Sequence, residues 1–313
     1  MPFDRVGVLG FSILLTVFLF AASQPAIAQL AITGQFDPSG TSSNCGLAVD
    51  SSAHEVWVHG CSGADVQRYS AAGAFLSSVP RGGESANDVD VEITTQPISL
   101  ASTLLPSNAL LFINGESGPA EIYALDKGTG AVLATLNTAF GGSHVVGGAY
   151  HRIRQSFFLI QDLVPAAADE NRIAEVDLAT GSILNTFQIT STFSVNFGDL
   201  EVCNSTGNLL VVSSDENRIA EYTPTGTLVQ YHPLPVGVSS LAGIGVDEST
   251  GDLRVASSAG GGDVWRLSGG PCIATPVPAL SLGARGVLAL LLVLGGAWPI
   301  WHRRRAAESR ASA

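Results

Sequence analysis

The octapeptide Asp169-Glu170-Asn171-Arg172-Ile173-Ala174-Glu175-Val176 returns 46 residues later as Asp215-Glu216-Asn217-Arg218-Ile219-Ala220-Glu221-Tyr222. A repeat of this period constrains the fold more than any other feature, because each unit must bury its apolar face against its neighbours. Both copies run on into a glycine turn and an apolar stretch, Thr180-Gly181-Ser182-Ile183-Leu184 and Thr225-Gly226-Thr227-Leu228-Val229. Looser copies are Asp65-Val66-Gln67-Arg68-Tyr69, Glu121-Ile122-Tyr123-Ala124-Leu125 and Asp263-Val264-Trp265-Arg266-Leu267. Anchored on the first apolar residue of each, the copies are spaced by 56, 51, 46 and 45 residues.

A second pattern precedes the phrase. Gly46 to Asp50, Leu200 to Cys203 and Ile244 to Asp247 each turn through Ser, Asn, Asp or Gly into a second apolar run. Such turn residues supply left-handed backbone angles between short antiparallel strands. Each unit therefore offers four strands, which is the arithmetic of a propeller blade. The fold class read from the sequence is all-β, a β-propeller of about five four-stranded blades, with six blades, one degenerate, as the alternative. A β-sandwich would not need a 46-residue period. The last copy lacks its outer strand and Leu30 to Phe36 lacks a partner, so the N-terminal strand is expected to close the ring and remove its raw edge. Insertions are expected in blades 2 and 3, near Gln96 to Ser107 and Asp162 to Asp169. The blade phrase resembles the propellers of the NHL and YVTN type over about Leu30 to Gly270.

The two ends read as targeting segments. Arg5, the apolar run Val6 to Ala22 and the small-x-small pattern Ala26-Ile27-Ala28 form a signal peptide cleaved by signal peptidase before Gln29. At the other end, Val277-Pro278-Ala279-Leu280-Ser281 precedes an apolar stretch, Gly286 to Trp301, and then His302-Arg303-Arg304-Arg305. That stretch is at the short edge of what spans a bilayer, and the arginines should stay cytoplasmic. The order of short motif, apolar helix and arginines resembles the PEP-CTERM class of C-terminal sorting signals of Gram-negative bacteria, in its Ile-Pro-Thr-Leu variant. Val and Ala replace two of the four motif residues. The resemblance implies recognition and removal by a membrane sorting enzyme; a plain C-terminal anchor is the alternative. The chain divides into a signal peptide 1–28, a propeller 29–270, a linker with the sorting motif 271–285, a transmembrane helix 286–302 and a basic tail 303–313. The expected place is the cell envelope, anchored or released to the outside.

Net charge is −12. An acidic surface repels phosphate backbones, which excludes nucleic acid as a natural partner and leaves cations, calcium included. Four cysteines in an exported chain favour disulfides. Cys45 and Cys61 flank the first hairpin almost opposite each other, so they are expected to pair. Cys203 and Cys272 then form the second bridge, the two other pairings remaining open. No CxxC occurs and the histidines are scattered, against a zinc site.

The sequence contains no GxSxG, HExxH, EF-hand loop or P-loop. Gly260-Gly261-Gly262-Asp263 reads as a turn, with a fragment of a calcium-binding glycine repeat as the alternative. The residues at the inner-strand starts, where propeller sites usually lie, include Asn44, Asp88, His144 and Asp199. Lactonase-type propellers bind a divalent cation there with Asp, Asn and Glu, and the resemblance implies that these four residues form a similar ring, with His144 or a carboxylate as base. Turn capping and a water-filled mouth are the plainer readings. Asp88, Asp90 and Glu92 alternate along one strand and read as a solvated face, with a calcium grip as the alternative. His54, His151 and His232 are expected in solvent at turns. The function expected is a binding scaffold for an envelope protein or glycan; the alternative is a divalent-metal-dependent lactonase or esterase working in the central channel.

Overall fold

A computed structural model of the chain describes residues 29–38, 43–61, 63, 65–82, 88–163, 169–259 and 261–272. The segment 1–28 expected to be a signal peptide, the motif Val277 to Ser281, the segment 286–302 and the basic tail lie outside the described residues. The described residues contain no helix long and apolar enough to cross a membrane.

The described chain is all strand and turn. After β1 (Ala31–Phe36), blade 1 is β2 (Asn44–Asp50), β3 (Glu55–Gly60), β4 (Asp65–Ser70) and β5 (Phe75–Pro80). Blade 2 starts with β6 (Val89–Ile93), makes a side hairpin of β7 (Ile98–Leu100) and β8 (Thr103–Leu105), and resumes with β9 (Leu110–Asn114), β10 (Glu121–Leu125) and β11 (Val132–Asn137). Blade 3 is β12 (Val145–His151), β13 (Ser156–Gln161), β14 (Arg172–Val176) and β15 (Ile183–Gln188). Blade 4 is β16 (Gly198–Cys203), β17 (Asn208–Ser213), β18 (Arg218–Tyr222) and β19 (Leu228–Pro233). Blade 5 is β20 (Leu241–Asp247), β21 (Asp252–Ser257) and β22 (Val264–Ser268), and β1 pairs with β22 as its outer strand. The ring thus has five blades, closed by the N-terminal strand as the unpaired Leu30 to Phe36 segment required. The insertion in blade 2 is the β7–β8 hairpin.

The blades hold together because both faces of each sheet are apolar. Trp57 of blade 1 packs with Phe112 and Val91 of blade 2, Leu111 and Ile113 meet Phe157 and Leu159, and Phe158 meets Leu200 and Val211. Each such side chain is fully buried and contributes about 2–3 kcal/mol relative to exposure. Glycine fixes the spacing at the outer hairpins. Gly73, Gly130, Gly181 and Gly226 all have φ between 70° and 88°, the left-handed region in which a side chain is strained. Each also lies against the outer strand of the preceding blade: a Cβ on Gly181 would sit 2.1 Å from the Asn137 carbonyl oxygen.

Both disulfides expected from the sequence are present, Cys45–Cys61 and Cys203–Cys272. They fit an oxidising compartment. The second ties the end of the described chain to the last residue of β16.

Candidate functional site

The inner strands β2, β6, β12, β16 and β20 line the channel. Three of the residues preceding them have positive φ: His144 at 57°, Phe197 at 44° and Ser240 at 53°. The conformation recurs at one position of the blade, so it belongs to the fold rather than to a strained catalytic histidine.

Asp88 immediately precedes β6 and His144 immediately precedes β12, and the two meet. His144 Nδ1 lies 2.6 Å from Asp88 Oδ2 and 3.9 Å from Asp162 Oδ2. Asp162 reaches the mouth because β12 and β13 form a hairpin in which Val145 pairs with Gln161, so the next residues outward face each other; the Asp162 amide donates to the His144 carbonyl at 3.1 Å. Ligand atoms of Asp88, His144 and Asp162 all lie within 4.8 Å of one another. Both carboxyls are buried, and the His144 side chain is 33% exposed. Burial pushes the Asp88 pKa up to about 6, with the nearby Asp162 and Glu116 carboxyls adding to the rise and His144 opposing it. Glu116 Oε2 also accepts from the Asp88 amide at 3.1 Å.

The four-residue ring expected at this end does not assemble as expected. Asn44 is buried and donates through Nδ2 to the Gly262 carbonyl, in a turn whose Gly261 and Gly262 both have positive φ. Asp199 sits one residue inside β16 rather than before it. Its carboxyl accepts from the Leu200 amide at 2.6 Å and the Ile244 amide at 2.8 Å, and shares a hydrogen bond with Asp90. Asp162 was the residue missed by counting only inner-strand starts; the hairpin brings it near, and the bulge between Val145 and Gly147 sets it opposite His144.

Below the mouth, Asp90, Glu92, Asp199 and Glu201 are buried rather than forming a solvated face. Their role follows from backbone chemistry. An inner strand has a sheet partner on one side only, and a buried amide on the other side needs an acceptor. Asp90 accepts from Gly148 and Glu92 from Tyr150, both on β12. Asp199 and Glu201 accept from Ile244 and Val246 on β20. The carboxyls stitch blade 2 to blade 3 and blade 4 to blade 5. Small residues make room for them: a Cβ on Gly147 would lie 2.1 Å from Asp199 Oδ1. Burial drives all four toward the protonated form, Asp90 and Glu201 to about 8 and Glu92 and Asp199 well upward.

Of the other histidines, His151 and His232 are buried rather than solvated. His151 Nε2 lies 3.1 Å from the Gly207 carbonyl, and His232 Nε2 lies 2.8 Å from Glu221 Oε2.

The mouth's donor set has two carboxylates and one imidazole. Calcium takes about six to eight oxygens, so an imidazole in a set of three suits zinc or manganese better. Asp88, His144 and Asp162 would hold such an ion.

Fold and site together define a five-bladed, disulfide-bonded propeller with an acidic, histidine-bearing mouth. No protein-family model matches the chain and no curated protein matches it in sequence. Among solved structures, it is similar to the glutaminyl cyclase of Myxococcus xanthus, with a TM-score of 0.52 and 12% identity over 76% of this chain and 95% of that one. A gluconolactonase from Xanthomonas campestris has a TM-score of 0.49 at 13% identity, over 76% of this chain and 88% of that one. The likeness to the cyclase shows the propeller fold alone and carries no chemistry across.

Proposed function

We propose that this chain is an exported β-propeller of the NHL and YVTN kind that binds a partner, protein or glycan, in the cell envelope through the mouth formed by Asp88, His144 and Asp162. The observation that supports it is the polarity of the molecule. The mouth lies at the starts of the inner strands, whereas Cys272 is bridged to Cys203 at the end of one. A tail anchored or sorted through Val277 to Ser281 and 286–302 would hold the far end toward the membrane and turn the mouth outward. The test compares the full chain with a His144→Ala, Asp162→Asn double variant for retention on envelope fractions. At least about a tenfold loss of retention, with the melting temperature unchanged, is expected; equal retention refutes the reading. Export has its own readout: the mature chain should begin at Gln29, and one beginning at Met1 would contradict it.

The second reading is a metal-dependent hydrolase of the lactonase or esterase kind. One observation favours it: a buried carboxylate holding an exposed imidazole through Nδ1 is the arrangement of a general acid–base pair. A single equivalent of zinc or manganese, with lactone or ester turnover abolished in His144→Ala, would select this reading over the first.

A further inference from the structure

Every blade has one second-strand position that faces the next blade at the same height. In blades 1 to 4 it is Trp57, Leu111, Phe158 and Leu210, paired with Ala48, Glu92, Ala149 and Glu201 of the inner strands. All four are apolar and fully buried. Blade 5 places Arg254 there, opposite Gly245.

Outward along the same row, blade 5 keeps the third-strand arginine of blade 1 and departs again at the outer strand. Blade 1 reads Trp57, Arg68, Ser77 and blade 4 reads Leu210, Glu221, Gln230. Blade 5 reads Arg254, Arg266, Gly34. Two guanidinium groups therefore stand between two glycines. Gly245 is filled in by Leu47 and Val49 of blade 1, but the missing side chain of Gly34 opens a groove of 310 Å³ on the seam between blade 5 and blade 1, lined by Arg254, Arg266, Thr33, Gln35, Phe36 and the Ala71–Ala72 turn. A Cβ on Gly34 would meet only the Arg266 Cβ, at 3.7 Å.

Arg254 is 3% exposed. Its Nη2 donates to the Ala71 carbonyl at 2.8 Å, and among the described residues no carboxylate lies within ion-pair distance of it. The nearest acidic groups are committed elsewhere. Asp252 Oδ2 is held by Arg266, at 2.7 Å from Nε and 2.6 Å from Nη2. Asp247 Oδ1 accepts from the Ser249 amide at 3.0 Å and hydroxyl at 2.6 Å. Burial and the neighbouring Arg266 lower the Arg254 pKa. Asp247 and Asp252 offset this only at a distance, and a buried cation with no direct ion pair is costly unless an anion completes it; the guanidinium fork matches the two oxygens of a carboxylate or phosphate.

We propose that the seam between blade 5 and blade 1 is a binding site for a small oxyanion ligand, bearing a phosphate or carboxylate group gripped by Arg254 and Arg266. The site is separate from the mouth and does not rest on the mouth's role.

The full chain in detergent micelles is titrated calorimetrically with inorganic phosphate and, separately, with succinate. Saturable binding of at least one is expected, weakened at least about tenfold by Arg254→Leu. Leucine is what blade 4 carries at this position, so the variant should melt no lower than the wild type without anion, which a purely structural guanidinium would not allow. Gly34→Ser, copying blade 1, narrows the groove without altering charge and should also weaken binding. Phosphate alone points to a phosphoryl ligand, and succinate alone to a carboxylate. Failure of both anions to bind saturably, or binding unchanged in Arg254→Leu, overturns the site. Should that variant fail to fold, Gly34→Ser decides: unchanged affinity overturns it.

Discussion

Gly181 and Gly118 both hold a left-handed backbone, φ 70° and 78°, but only Gly181 is wedged against a neighbouring blade. A Cβ on Gly118 meets nothing within 4 Å. Gly118→Ala should therefore cost only the conformational penalty, about 1–2 kcal/mol, while Gly181→Ala should cost at least about 3 kcal/mol because backbone must also move. Denaturant unfolding of the two variants separates the terms; equal losses would mean that the blade contact contributes nothing. The same distinction decides what was legible at the mouth. Asp88 and His144 were visible because they precede inner strands. Asp162 was not, since it follows a second strand: counting outward from the Arg152 to Gln155 turn sets it opposite Val145, and only the bulge between Val145 and Gly147 brings it to His144. Asp199 misled for the converse reason. It looks like a strand start, but one residue of register moves it inside β16, where its carboxyl serves backbone amides.

At the scale of the strand, Glu92 on β6 and Glu201 on β16 occupy equivalent places, and each accepts from the inner strand of the next blade. Alternating acidic residues ordinarily indicate a wet face, and the sequence alone gave no reason to read Asp90 and Glu92 otherwise. The physical signal lies outside the strand, in the glycines and alanines of β2, β12 and β20 that make space for them. Burial raises the Glu201 pKa to about 8 and the Glu92 pKa well above its ordinary value. Unfolded glutamate titrates near about 4.3. Between these limits the fold keeps protons that the unfolded chain has released, so stability from this pair is complete below about pH 4 and falls as pH rises toward 8. Ion-paired carboxylates such as Glu175, with a pKa lowered by Arg154 and Ser156 against the effect of burial, act in the opposite direction, so the informative quantity is a difference. Glu92→Gln with Glu201→Gln should flatten the decline in melting temperature between about pH 5 and about pH 8 relative to the wild type. An unchanged slope would show that the pair is ionised in the fold.

Over the whole molecule, the problem is closing a ring whose neighbours are all local except at one seam. Two devices address it. The Cys203–Cys272 bridge closes a separation of 69 residues and Cys45–Cys61 one of 16, so by chain entropy their loss should cost about 4 and about 3 kcal/mol. Paired Cys→Ser variants compared by denaturation test that order. The other device is β1, which pairs along β22 from Ala31 with Ser268 to Phe36 with Val264. It was legible because the last repeat lacked an outer strand and the first segment lacked a partner. Arg254 on the same seam stands in the second apolar run where blades 1 and 4 carry Trp57 and Leu210, but the pattern does not show that the position is buried or which blade it faces. Removing residues 29–38 should leave β22 as an exposed edge, lower the melting temperature by roughly 5–10 °C and promote association through that edge. A synthetic peptide of residues 29–38 added in trans should restore both the melting temperature and the monomer, because it supplies the missing ladder without a covalent link. A truncated chain that melts like the intact one and stays monomeric would show that the ring is held by the blade faces and disulfides alone, and that β1 merely covers an edge that never limits stability.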